Sequence, residues 1–108
     1  MIPPVHYLIA ELGGPVRVAP YFPFGTQELA ASVRDALTGR SAALLANHGA
    51  VAVGASVEQA YERSLLLEWL FALFFRARAV GEPRLLSESE VAEVAERLSR
   101  FRTVAVPT

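Results

Sequence analysis

No cysteine and no lysine occur among the 108 residues; all ten basic side chains are arginine. Without cysteine there is no disulfide, no thiolate nucleophile and no cysteine-type zinc site. That absence fits a reducing cytoplasm. Without lysine no Schiff base can form, so the covalent amine route to carbonyl chemistry is closed to this chain. Histidine is scarce: His6 and His48 stand alone, with no His-x-His or His-Glu-x-x-His pair. There is no Gly-x-Gly-x-x-Gly, Walker loop or Gly-x-Ser-x-Gly, so nucleotide binding and serine hydrolysis have no positive signal. The formal charge of −1 provides no basic field, which argues against nucleic acid and anionic membrane surfaces. The opening "MIPPVHYLIAELGG" has no basic start and an early glutamate, so it does not read as a signal peptide.

Apolar residues, by contrast, are in surplus. They make up 53% of the chain, against roughly 45–50% in an ordinary soluble domain. A short chain has proportionally the most surface to cover. The surplus therefore predicts that some apolar faces meet another chain or a further segment.

The local pattern reads as short helix, strand, helix, strand, strand, long helix, helix, in a single α/β domain. Pro3 and Pro4 hold the start extended, and "VHYLIAEL" forms a short helix stopped by Gly13 and Gly14. Residues 16–19 make an edge strand before Pro20. "GTQELAASVRDALTGR" is a helix capped by Thr26, with Glu28 in its positive first turn. "SAALLAN" and "AVAVG" are consecutive strands, with a tight turn or bulge expected at Gly49. The stretch from Ser56 to Gly81 starts with a capping box, Ser56 with Gln59, and would span ~37 Å. Between residues 65 and 75 its one charge is Glu68, so it reads as a central helix packed on several sides. That core is shorter than the ~20 residues a bilayer needs, which argues against a membrane span. A last helix opens with a second capping box, Ser87 with Glu90, and residues 102–108 form a tail.

The polar groups set in apolar surroundings are His6, Tyr7, Thr26, Asn47, His48 and Glu68. From context alone His48 is either a buried neutral imidazole bonded at both nitrogens or a metal ligand. Gly49 beside it would let an ion approach the backbone. A catalytic zinc takes three protein ligands, and no spacing here supplies the other two. Tyr7 reads equally as a packing residue or as an acid. A phenol, with an ordinary pKa of about 10, serves a developing alkoxide only when held beside one.

"IPPVHYLIAELGG", "APYFPFGTQEL" and "ALLANHGAVAVG", followed by "VEQAYERSLLLEWLF", together resemble the C-terminal half of class II sugar-phosphate aldolases. The type is that of L-fuculose-1-phosphate aldolases in the aldolase/adducin superfamily, and the likeness runs through nearly the whole chain. It implies a partial α/β/α layer fold with a mostly antiparallel sheet and a long apolar helix, assembling as a cytoplasmic homotetramer. It implies that the histidine of "NHG", His48, is a zinc ligand. The tyrosine of "HY", Tyr7, would move a proton at the aldehyde oxygen in a neighbouring subunit's site. The implied reaction is reversible cleavage of a sugar phosphate into dihydroxyacetone phosphate and an aldehyde. It is Lewis-acid catalysis and needs no lysine. The family's other two zinc histidines, its catalytic glutamate and its phosphate-binding loops lie upstream of "IPPVHY". The chain therefore reads as a fragment, expected alone to be inactive and to bind zinc weakly or not at all. Alternatives on the same scaffold are a pentulose-phosphate 4-epimerase, a sugar-acid-phosphate dehydratase or decarboxylase, and a non-catalytic adducin-like module.

Overall fold

The computed structural model describes residues 1–104. An extended start leads to a 3-10 helix, Tyr7–Leu12, then strand β1 (Val18–Ala19), helix α1 (Gln27–Ala36), strands β2 (Ala42–Leu45) and β3 (Gly49–Ala52), and helices α2 (Val57–Val80) and α3 (Glu88–Val104). Local signals set most of these boundaries. Thr26 accepts the Leu29 N–H at the start of α1, and Ser56 accepts the Gln59 N–H at the start of α2. Gly81 follows the last turn of α2. The expected tail is helical as far as Val104; residues 105–108 lie outside the described residues.

The expectation is a mostly antiparallel sheet; the described sheet is mixed, its antiparallel ladder of four residue pairs longer than its parallel one of two. Its order is β1-β2-β3, with β1 parallel to β2 and β2 antiparallel to β3. The reason is the connection: α1 lies between β1 and β2 and carries the chain back to the starting edge, whereas a short turn can only reverse it. β1 sits at an edge, as the prolines after it require. On the other side β3 is the last strand of the described sheet.

Both faces of the sheet are covered, because alternate residues of a strand point to opposite sides. Ala42 packs with Ile2, Ile9, Leu12, Val16, Leu67, Leu70 and Val91, under the 3-10 helix, α2 and α3. Its neighbour Ala43 packs with Ala19 and Ala36, beneath α1. Helix, sheet and helix thus form three layers, and the alanines of β2 let both helical layers come close. Ile9, Leu12 and Leu70 are fully buried, each contributing ~1.5–3 kcal/mol.

The long helix departs from expectation in its packing. α2 has its full length of 24 residues, but it buries its middle on one side only, through Leu67 and Leu70. Leu65, Trp69, Phe71 and Phe75 remain 46–69% exposed. No single apolar stripe marks an inner face in this helix, so the sequence does not reveal which side the core takes. No described helix is long and apolar enough to cross a membrane.

At the start of α3 the capping box is reciprocal: Glu90 N–H donates to Ser87 Oγ, and Ser87 N–H donates to Glu90 Oε1. The bond from the Ser87 backbone, helped by Arg84, holds the Glu90 carboxyl below its ordinary 4.5. A depressed carboxylate stabilises the fold above its unfolded pKa, and that contribution is lost as pH falls through the lower folded value. Amide exchange should therefore show the first turn of α3 losing protection on acidification below 4.5. In Glu90→Gln that acid-dependent loss should be absent.

Candidate functional site

β1 and β2 run parallel, so their carboxyl ends lie on the same edge of the sheet. From this edge β1 leads into the loop bearing Pro20, Tyr21 and Phe24, and β2 leads into the turn that holds His48. The Ala46 N–H donates to the Ala19 carbonyl across the two strand ends. The crevice outside strand carboxyl ends is where open α/β sheets place their ligands.

The turn itself is built by Asn47 and not by Gly49. The His48 N–H donates to the Leu45 carbonyl at 3.1 Å, and Asn47 has a left-handed φ of 58°. Asparagine tolerates this region better than other side-chain-bearing residues. Gly49 is already in β3, paired with Leu45, and shows no positive φ. Of the tight turn or bulge expected at Gly49, the structure has the turn, over 46–48 and so just before that residue.

His48 is exposed. The buried, doubly bonded imidazole expected as one reading does not occur, and the ring has no hydrogen-bond partner among the described residues. The residue stands in the turn of the hairpin, open to solvent. A neutral imidazole is a good zinc ligand, so the donor chemistry fits. The donor number does not: no three His, Cys, Asp or Glu residues gather to hold a metal among the described residues. Among the described residues, His48 is a single candidate donor.

Tyr7 lies elsewhere, at the start of the 3-10 helix and 51% exposed. No hydrogen bond or ring contact joins it to His48 among the described residues. Its ring stacks on His6 with centroids 4.5 Å apart and planes at 26°. His6 in turn meets Trp69 of α2 at 4.9 Å, nearly perpendicular. Of the other polar candidates, Thr26 is a helix cap and Glu68 is exposed among the apolar side chains of α2.

A cleft of about 300 Å³ opens between the 3-10 helix and α3, lined by Pro4, Gly14, Arg40, Leu86 and Val91 among others. It contains neither His48 nor Tyr7. Arg40 bonds the Pro15 and Gly39 carbonyls; burial, and then the neighbouring Arg17, push its guanidinium below its ordinary value. Arg17 donates to the carbonyls of Ala36 and Thr38. Both arginines therefore serve the chain's own carbonyls, Arg17 at the end of α1 and Arg40 at Pro15 and Gly39.

Comparison with known proteins accords with the placement of these motifs. The family model described as the Class II Aldolase and Adducin N-terminal domain matches residues 1–75. The chain belongs to the class II aldolase and adducin family. It is 36% identical over 100 residues to a 5-deoxy-D-ribulose 1-phosphate aldolase of Bacillus thuringiensis, covering 93% of this chain and 47% of that protein. It is 38% identical over 102 residues to an L-fuculose phosphate aldolase of Escherichia coli K12, with the same coverage of each. A solved L-fuculose 1-phosphate aldolase superimposes with a TM-score of 0.87 at 38% identity, covering 91% of this chain and 46% of that one. The YgbL protein of Klebsiella pneumoniae, a candidate aldolase/epimerase/decarboxylase, superimposes with a TM-score of 0.72 at 32% identity, covering 86% and 44%. The chain thus spans about half the length of the relatives it matches.

Sequence reasoning assigned no part to two features of this class II aldolase-family site. Asn47 was grouped with polar candidates, although an asparagine before a strand start is a turn signal. The contact between His6 and Trp69 had no local signal at all. The turn makes a stability prediction. Asn47→Val should destabilise the chain by ~1–2 kcal/mol, since a β-branched residue disfavours left-handed backbone. Asn47→Gly should be nearly neutral in urea unfolding.

Proposed function

We propose that this chain is the half of a metal-dependent class II aldolase that contributes His48 as one metal ligand and Tyr7 as a proton-transfer residue. The substrate class is a ketose 1-phosphate, cleaved to dihydroxyacetone phosphate and an aldehyde. The observation that carries this reading is the exposed, unbonded imidazole of His48, held by its turn at the carboxyl ends of two parallel strands. The likeness to two aldolases of phosphorylated ketoses supports the reaction type.

The metal, once its full ligand set is assembled, supplies Lewis-acid polarisation of substrate oxygens. The residues of this chain have narrower tasks. The turn over 46–48 holds the exposed His48 at the carboxyl ends of the strands. Tyr7 presents a half-exposed phenol that can give a proton to, or take one from, an oxygen brought beside it. No hydrogen bond or ring contact joins it to His48 among the described residues, and its action is proposed for a second subunit's site.

Two further surfaces support an assembly, with a homotetramer as the form proposed. The outer side of α2 presents Leu65, Trp69, Phe71 and Phe75 to solvent, a patch of the kind that protein contacts cover. β3, "GAVA", has neither charge nor proline, the usual protections of an edge strand. Further polypeptide, from the same chain or a second copy, would cover both. The likeness to YgbL favours epimerisation or decarboxylation as the second reading on this scaffold. Product analysis separates the two, since only aldol cleavage releases dihydroxyacetone phosphate.

The test uses the assembled, metal-loaded enzyme. His48→Ala should lose metal and turnover together; retained zinc with full turnover contradicts the ligand assignment. Tyr7→Phe should lower kcat on the order of a hundredfold with metal content unchanged. Loss of zinc in Tyr7→Phe would make that residue structural.

A further inference from the structure

His6 precedes the 3-10 helix in extended conformation, with φ −150° and ψ 146°, and its Nδ1 accepts the Leu8 N–H at 3.0 Å. It is therefore the cap of that helix. An accepting Nδ1 puts the proton of the neutral ring on Nε2. Capping alone does not call for an imidazole, since serine, threonine, aspartate and asparagine do this work better. The ring has a second set of contacts. One face stacks on Tyr7, and the ring also meets Trp69 at a nearly perpendicular angle.

Tyr7 needs such a support. It is the first residue of a six-residue 3-10 helix and is half exposed, so core packing does not fix its ring. Trp69 is itself 46% exposed, but it stands on the 24-residue helix α2, which Leu67 and Leu70 anchor in the core. Ring contacts therefore run from Trp69 on α2 to His6, and from His6 to Tyr7.

We infer that His6 is a positioning residue for Tyr7, its cap fixing the backbone and its ring face fixing the plane of the phenol. This rests on the reading of Tyr7 as the proton-transfer group. A side chain that hands over a proton must sit within hydrogen-bond reach of the reacting oxygen. A displacement of about 1 Å costs as much as a hundredfold in rate. A half-exposed ring on a short helix needs a fixed neighbour to hold that tolerance.

His6→Asn separates positioning from capping, because asparagine keeps an oxygen acceptor for the Leu8 N–H and removes the stacking surface. In the metal-loaded enzyme we expect kcat to fall about tenfold with KM unchanged. In a Tyr7→Phe background the same substitution should cost nothing further, since His6 acts only through the phenol. In the 108-residue chain, NMR should show the Tyr7 ring signals moving toward those of free tyrosine in His6→Asn. In His6→Phe, which keeps a stacking face, they should move much less. The inference is overturned if His6→Asn leaves kcat and the ring signals unchanged. It is overturned equally if the costs of His6→Asn and Tyr7→Phe add in full. Failure of the underlying reading is separately visible: full turnover in Tyr7→Phe removes the catalytic meaning of both residues, whatever the ring signals show.

Discussion

The hydrogen bond from the His48 N–H to the Leu45 carbonyl closes the turn on which the proposed function depends. It holds only because Asn47 accepts a left-handed backbone. With that turn in place the imidazole stands exposed after the end of β2, with no hydrogen-bond partner among the described residues. Were the turn open, the same histidine would have no fixed direction. In the proposed function a ligand must be held in place before a metal arrives, and a main-chain bond and one asparagine would do the holding.

Exposure on α2 and along β3 belongs to the same picture. The sheet is covered by α1 on one face and by the 3-10 helix, α2 and α3 on the other. Its β3 edge and the outer side of α2 remain bare. Burying a large apolar side chain contributes ~1.5–3 kcal/mol, so four large apolar side chains left half exposed are a substantial unrealised gain. That gain, together with the single proposed metal donor His48, is what half of a larger enzyme would carry. Membership of the class II aldolase and adducin family, with coverage of about half of its relatives, accords with it.

Local chemistry was legible in the sequence; long-range pairing was not. Thr26, Ser56 and Ser87 announce helix starts because a cap needs only its own next three residues. Gly81 ends α2 for an equally local reason. The β1–β2 pairing is parallel because of what α1 does between them, and no residue in either strand encodes that. Residues 65–75 of α2 are apolar on every side, so periodicity could not say which side the core would take. At the candidate site, the "NHG" motif identified His48, but its exposure and its turn emerged only with the backbone. The stacking of His6 depends on Trp69, a residue brought near by the packing of α2.

The central claim is that this chain brings one ligand to a metal site completed by other residues. Zinc titration of the 108-residue chain, followed by NMR of both imidazoles, tests it most directly. The account predicts weak binding that shifts the His48 ring and leaves His6, already engaged through Nδ1 and Tyr7, nearly still. Tight stoichiometric binding through three ligands of this chain, or binding that passes over His48, would contradict it.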